Sequence, residues 1–142
     1  RMVCAMRSEH PLATGTMTLK RFLDAGHLRV AMSPTDHRFV DSKLAAEGLS
    51  RKISVNVPQW LLVPEMLRET DLLGVISERI GNKLTGQGIV CTPLPFEVPE
   101  FQWMIYSQNR HVHSHAHGWM SRLLHDVAEG LPKNTSAHAS QH

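Results

Sequence analysis

The sequence has few of the features by which function is usually recognised at first sight. It contains two cysteines in 142 residues, too few for a disulfide framework, and we expect Cys4 and Cys91 to be buried, reduced thiols. No run of about 18 apolar residues is present, which excludes a membrane-spanning helix. The net charge is only +2, and the lysines and arginines are scattered, so this chain itself is not expected to bind nucleic acid.

Motifs for common chemistry are also missing. The sequence has no Gly-rich phosphate loop, no G-x-S-x-G, no H-E-x-x-H and no C-x-x-C pair. Ser33 follows an expected strand, but it stands in a Ser-Pro turn with no helix N-terminus directly behind it to activate a nucleophile. The isolated His10, His27 and His37 are expected to be structural. The sequence therefore predicts neither an enzyme nor a need for a cofactor.

The beginning of the chain resembles the inside of a fold. RMVCAMR has no initiator Met at position 1, and it lacks the apolar segment and small-residue cleavage site of a signal peptide. We expect a fragment whose amino-terminal part is absent, from a cytoplasmic protein. Residues 132–142 are polar, small and aperiodic, which predicts a disordered tail.

What is present is a regular alternation of strands and helices. Thr18 and Ser77 are expected to cap helices, Gly26 and Gly86 to end them, and Pro64 to stand in a first turn. The alternation predicts an α/β fold with a mostly parallel sheet flanked by helices. The expected strands are 2–7, 27–32, 51–57, 71–76, 88–95 and 101–107, and the expected helices are 19–25, 39–47, 61–68, 77–84 and 115–131.

The stretch VNVPQW (55–60) is the most informative about function, because it places a polar amide and a tryptophan directly after a strand. In open α/β sheets, ligands are held outside the carboxyl ends of the strands. The loop at 33–35 and the turn at 57–60 follow two expected strands and should face one hollow. Trp60 then either lines that hollow, as an apolar wall of a small-molecule site, or packs into the core. The sequence leaves both open.

The run HVHSHAH (111–117) is the most conspicuous cluster of side chains. Imidazoles at this spacing bind transition metals in an extended segment, and His113 and His117 lie one turn apart on a helix. The run nevertheless stands at the polar start of an amphipathic helix, with no carboxylate or thiol nearby to complete a ligand set. We expect no physiological metal site.

The order of several short segments resembles that in LysR-type transcriptional regulators, within their effector-binding domain. The segments are a His-Pro-Leu-Ala turn at 10–13, an Asp…Gly-Leu-Ser-Arg helix end at 41–51, Thr-Asp-Leu at 70–72 and HGWMSRLLHDV at 117–127. No single segment is specific, but they follow one another in the family's order over about residues 2–128.

The resemblance implies a type 2 periplasmic-binding-protein-like lobe. Domains of this family have two lobes joined by two crossover strands. By that resemblance, residues 1–8 form a crossover strand, 9–95 the second lobe, and 96–131 the return strand and helix of the first lobe. Most of the first lobe and the winged helix-turn-helix have no counterpart here.

The resemblance also implies a ligand and partners. A small-molecule inducer would bind in the cleft between the lobes. We expect an aromatic or carboxylate compound, but its identity does not transfer from the family, which often has another pair of residues where this chain has Gln59-Trp60. DNA would be bound only through the domain missing from this chain, and a homo-oligomer is expected. Two other functions stay open: a periplasmic-type solute-binding protein and a metal-binding module built on the His cluster. By position, the ligand-binding residues would be Ser33, Pro34, Thr35, Val57, Pro58, Gln59 and Trp60.

Overall fold

A computed structural model describes residues 1–32, 40–99, 106 and 114–130. The predicted alternation of strands and helices is confirmed as far as the fifth strand, and the last predicted helix is present. The predicted strand 101–107 lies outside the described residues except for Tyr106, as does the predicted tail 132–142. In chain order the elements are β1 (Met2–Arg7), α1 (Leu19–Asp24), β2 (Gly26–Val30), α2 (Val40–Ala46), β3 (Lys52–Val57), a 3-10 turn (Trp60–Leu62), α3 (Val63–Arg68), β4 (Leu73–Ser77), α4 (Glu78–Leu84), β5 (Ile89–Pro93) and α5 (His115–Gly130).

The helix boundaries follow from the capping residues. The Thr18 hydroxyl accepts a hydrogen bond from the Arg21 backbone N–H at 3.3 Å, and the Ser77 hydroxyl accepts one from Ile80 at 3.4 Å. Pro64 lies in the first turn of α3, where its missing N–H removes no intrahelical bond. These three expectations are confirmed.

Gly26 does not end α1 as expected. The helix ends because Ala25 is already extended, with φ −78° and ψ 158°, and Gly26 is the first residue of β2. A Cβ atom on Gly26 would lie 2.8 Å from the Ser54 Oγ of β3. The close approach of two neighbouring strands, rather than a helix terminus, therefore favours glycine at this position.

Four of the five described strands point the same way. The strand order is β3-β2-β4-β1-β5. β2 is parallel to β3 and to β4, whereas β1 is antiparallel to both of its neighbours, β4 and β5. The mostly parallel sheet is thus confirmed, with β1 inserted as the one reversed strand among those described.

Both faces of the sheet are covered by helices. Alternate residues of β1 enter two separate cores, as expected for a strand buried on both sides. Val3 and Ala5 pack with residues of α3 on one face, and Cys4 and Met6 pack with α1 and α2 on the other. Cys4 is fully buried and Cys91 is half-buried, and both are free thiols. Because Cys91 is the register partner of Ala5, the two sulfurs lie on opposite faces.

Helix α5 belongs to a second compact unit, residues 101–142. Its sixteen residues carry an apolar stripe, as the sequence predicts. Within the described ranges, no helix is long and apolar enough to cross a membrane. The exposed apolar side chains of α5 are Trp119, Met120, Leu123, Leu124 and Val127.

Candidate functional site at the carboxyl edge of the sheet

The ends of β2 and β3 lie side by side. Val30 is the register partner of Val57, and the Ala31 backbone N–H donates to the Val57 carbonyl at 3.0 Å. Because the two strands are parallel, the segments that follow them leave the sheet from the same edge. The ends of the two strands therefore meet at one edge, whereas the turn at 33–35 lies outside the described residues and its meeting with the turn at 57–60 stays a prediction.

The same edge is where β1 begins and where β4 and β5 end. Met2 of β1 pairs with Ser77 at the end of β4, and Val3 pairs with Pro93 at the end of β5. The Glu78 backbone N–H donates to the Arg1 carbonyl at 3.0 Å. One edge of the sheet thus carries the carboxyl ends of β2, β3, β4 and β5 and the amino end of β1.

Trp60 is not a core residue. It begins the 3-10 turn, and 48% of its surface is exposed. Its neighbour Leu61 is 88% exposed, and Met32, which follows β2, is 83% exposed. Exposed apolar side chains clustered after two adjacent strands are typical of a surface that is covered in the functional state.

The other predicted site residues divide into three groups. Pro58 and Gln59 are exposed at the same edge. Val57 is buried and belongs to the core beneath α3, so its side chain supports the edge and does not line it. Ser33, Pro34 and Thr35 lie outside the described residues, and their place in the site stays a prediction.

A buried ion pair joins α2 to the residue before β3. Arg51 donates from Nε to Asp41 Oδ1 at 2.7 Å and from Nη2 to Asp41 Oδ2 at 3.0 Å. The two side chains are only 5% and 11% exposed. Two parallel bonds of this kind fix the orientation of both groups. They anchor the first turn of α2, which is the point where the chain returns after the 33–39 segment.

His27 extends this pair into the core. Its Nδ1 lies 3.4 Å from Arg51 Nη1, and its Nε2 lies 2.7 Å from the Phe22 carbonyl. A guanidinium can only donate and a carbonyl can only accept, so His27 is neutral with its proton on Nε2. Burial, against the opposing bond to the Phe22 carbonyl and with help from the Arg51 charge, lowers the pKa of His27 to about 4.

Arg29 carries the network toward the strand ends. Arg29 Nε donates to Asn56 Oδ1 at 3.1 Å, and Asn56 Nδ2 donates to the Ala31 carbonyl at 3.1 Å. Arg29 Nη1 also lies 3.9 Å from Asp41 Oδ2. Asn56 therefore joins the end of β3 to the end of β2 at the edge where Trp60 and Met32 are exposed.

Sequence reasoning missed the role of this network. In the sequence, Asp41 and Arg51 stand only as the two ends of a motif, and Asn56 only as a polar residue within an expected strand. The available signal is the position of Arg29 between Leu28 and Val30 in an expected strand, since a charged residue buried there requires partners.

A second polar cluster lies at the opposite edge of the sheet. Arg7 binds Asp71 with Nε at 2.8 Å and Nη2 at 2.7 Å. His10 accepts from the Leu12 N–H at 2.9 Å and donates to the Asp71 carbonyl at 3.1 Å. These contacts join the His-Pro-Leu-Ala turn to Thr-Asp-Leu, and they show that His10 is structural.

A separate hollow of about 550 Å³ opens at the carboxyl edge. The start of β1 and the segment after β5 form its walls, and it contains none of the seven predicted ligand-binding residues. We attach the candidate site to the ends of β2 and β3 because the exposed indole is there. The residues around the hollow are Arg1, Met2, Val3, Glu78, Pro93, Leu94, Pro95, Phe96, Glu97 and Val98.

Metal ligation receives no support from the part of the chain that the structure describes, where no group of three His, Cys, Asp or Glu side chains is placed to hold an ion. Of the His run, only His115 and His117 are among the described residues. Both are exposed on the first turn of α5.

The fold and the arrangement of its carboxyl edge define a class of protein. This class is an α/β lobe of the periplasmic-binding-protein type, with an open carboxyl edge at which β1 begins and β5 ends. The chain belongs to the LysR substrate-binding domain family, whose model matches residues 1–129.

Two curated relatives are transcriptional activators. The chain is 30% identical over 126 residues to the HTH-type transcriptional activator NahR of Pseudomonas putida, covering 88% of this chain and 42% of NahR. It is 27% identical over 125 residues to NagR of Ralstonia sp, again covering 42% of the relative. The chain thus spans about two fifths of these proteins. Neither the solute-binding nor the metal-module alternative is favoured by them.

Solved structures agree on the fold. A probable transcriptional regulator from Pseudomonas aeruginosa superimposes with a TM-score of 0.64 at 30% identity, over 70% of this chain and 34% of that one. The regulatory domain of MexT, a transcriptional activator of the same organism, gives 0.70 at 22% identity, over 87% of this chain and 61% of that one.

Proposed function

We propose that this chain is the ligand-sensing part of a DNA-binding LysR-type transcription regulator that acts in the cytoplasm and is not an enzyme. The family membership over residues 1–129 supports this proposal, as do the relatives, which are transcriptional activators. DNA would be bound by a helix-turn-helix domain outside the 142 residues.

The ligand would bind where β2 and β3 end. The observation that carries this assignment is the half-exposed Trp60, placed at the joined ends of two parallel strands. Indole and thioether side chains give an apolar wall, and an exposed indole stacks well on another ring. Gln59 and the predicted contacts from Ser33, Pro34 and Thr35 would supply directed hydrogen bonds. An aromatic or carboxylate inducer suits such a site.

The response would follow from closure of two lobes. Residues 1–8 would cross from the first lobe, 9–95 form the second lobe, and 96–131 return to the first lobe. An inducer that contacts both lobes shifts the open–closed equilibrium by its difference in affinity for the two states. Hinge closure then re-angles the DNA-binding domains of a homo-oligomer.

The full gene tests the architecture. We expect the region upstream of residue 1 to encode the rest of the first lobe, preceded by a segment of about 60 residues with helix-turn-helix spacing. A secretion signal in that position would contradict the proposal and favour a periplasmic solute-binding protein.

Calorimetry on the full-length protein tests the site. Aromatic carboxylates, beginning with benzoate, should bind with one site per chain, and Trp60→Ala should raise the Kd about tenfold or more, because the stacking surface is lost. Ile80→Ala removes a similarly exposed apolar side chain from α4 and should leave the Kd unchanged. Equal Kd values for the Trp60→Ala protein and the wild type would place the site elsewhere.

A further inference from the structure

The ends of β2 and β3 are held together by side chains as well as by the backbone ladder. The ladder supplies the bond from the Ala31 N–H to the Val57 carbonyl. Asn56 Nδ2 donates a further bond to the Ala31 carbonyl. The backbone N–H and the carbonyl of Ala31 are therefore both bonded to residues of β3. Ala31 is 8% exposed, and the chain beyond it leads directly into the candidate site.

Asn56 is itself oriented by a buried cation. Arg29 is 9% exposed, and its Nε donates to Asn56 Oδ1 at 3.1 Å. That contact leaves the Asn56 amide nitrogen facing the Ala31 carbonyl, since an amide whose oxygen accepts from a guanidinium has its NH₂ free to donate on the other side.

The same arginine is linked to α2. Arg29 Nη1 lies 3.9 Å from Asp41 Oδ2, and Asp41 is fixed by its two bonds to Arg51. The network therefore runs from the first turn of α2 to the last residues of β2 and β3. Two of its members, Arg29 and Asn56, are residues of the sheet itself, and it contacts both strand ends that border the candidate site.

We propose that Asn56 and Arg29 are positioning residues for the ligand site: they hold the ends of β2 and β3 at a fixed separation, so that the edge bearing Met32 and Trp60 is preformed before a ligand arrives. This inference rests on the proposed ligand-sensing function. Preorganised strand ends bind a ligand more tightly, because less ordering has to accompany binding.

We expect Asn56→Ala to lower the affinity for the ligand, an effect that a loss of folding stability alone would not produce. Asn56 is exposed, so Asn56→Ala removes two hydrogen bonds at the surface without opening the core. The loosened strand end has to be ordered again on binding, which costs affinity. A residue that only stabilised the fold would lower the resistance to unfolding and leave the Kd for the ligand unaltered.

The test uses full-length protein that carries Trp103→Phe and Trp119→Phe. Trp60 is then the only tryptophan within these 142 residues. Three properties are measured: acrylamide quenching of Trp60 without ligand, hydrogen exchange of the Ala31 amide, and the Kd for benzoate. Asn56→Ala should increase quenching, speed the exchange of Ala31, and raise the Kd about threefold to tenfold, the range for loss of a hydrogen bond. Arg29→Lys should change all three in the same direction.

Asp71→Asn is the matched control. It weakens the Arg7–Asp71 ion pair at the opposite edge of the sheet and lowers global stability without touching the strand ends. It should leave Trp60 quenching and the Kd at wild-type values.

Each outcome separates the two proposals. If Asn56→Ala leaves Trp60 quenching and Ala31 exchange as in the wild type, the positioning role is wrong, whatever ligand binds. If those two change while the Kd for benzoate stays within about twofold of the wild type, a span smaller than one lost hydrogen bond, the network is merely structural and the inference is also wrong. If the wild type binds no benzoate, the aromatic-carboxylate assignment fails; a change in both Trp60 quenching and Ala31 exchange then supports only the preformed edge, and no change in either overturns the positioning role.

Discussion

Asp41 and Arg51 are ten residues apart in the chain and form a bidentate ion pair, with distances of 2.7 and 3.0 Å. They are the two ends of the Asp…Gly-Leu-Ser-Arg segment, one of the segments that resemble LysR-type regulators. Between them lies Gly48, whose φ of 71° lets the chain turn back from α2 toward β3. The motif is thus one structural unit: a helix, a left-handed turn and a charge pair that closes it.

Breaking this pair should be costly. Asp41→Ala leaves the nearly buried Arg51 guanidinium without its partner, and we expect a loss of about 3 kcal/mol in the free energy of unfolding. Urea denaturation measures it. Glu47→Ala breaks a more exposed pair between Lys43 of the same helix and the residue directly after it, and should have little effect. Similar losses for the two variants would show that the Asp41–Arg51 pair is not special.

His27 makes stability depend on pH. Its pKa is lowered to about 4 in the folded state, whereas the unfolded chain takes up a proton near the ordinary value of about 6.5. Stability is therefore complete above pH 6.5 and falls as the pH drops toward 4, by about 2–3 kcal/mol from this group. His27→Gln keeps an N–H donor for the Phe22 carbonyl and should show a flatter pH profile in urea denaturation. An equally steep profile in the variant would assign the pH dependence to other groups.

Gly81 allows α4 to lie against the sheet. A Cβ on this residue would lie 2.9 Å from Cys91 Sγ and 3.1 Å from Val3 Cγ2. Although alanine favours helix, Gly81→Ala should therefore lower the melting temperature, with a cost of about 1–3 kcal/mol for overpacking. The Cys91→Ala change in the same protein removes the closest atom and should restore part of the loss. A stabilised Gly81→Ala protein would mean that α4 can move away from β1 at no cost.

Truncation of two leucines near α3 should have very different effects on the free energy of unfolding. Leu67 of α3 is fully buried, whereas Leu61 is 88% exposed. Leu67→Ala should cost about 3 kcal/mol because it leaves a cavity beneath the sheet. Leu61→Ala should leave the free energy of unfolding unchanged, since its side chain is available for a ligand or another lobe. A large loss for Leu61→Ala would mean that this residue is covered within the chain.

Local signals predict the helices and strands, whereas contacts between distant residues decide how these elements are arranged. Thr18, Ser77 and Pro64 act within one turn of chain, so their roles were predictable. The reversed insertion of β1 and the approach of Gly26 to Ser54 depend on residues distant in sequence, and no local pattern contains them. Trp60 could not be assigned to core or surface beforehand, because an apolar side chain after a strand suits both.

The central claim is that a small molecule binds against Trp60 at the joined ends of β2 and β3. The most direct measurement is a fluorescence titration with benzoate. It uses full-length protein in which Trp60 is the only tryptophan of the 142 residues, and calorimetry follows binding in parallel. We predict a saturable change in Trp60 emission at the same Kd as the heat signal. Saturable heat with unchanged Trp60 emission would contradict the account.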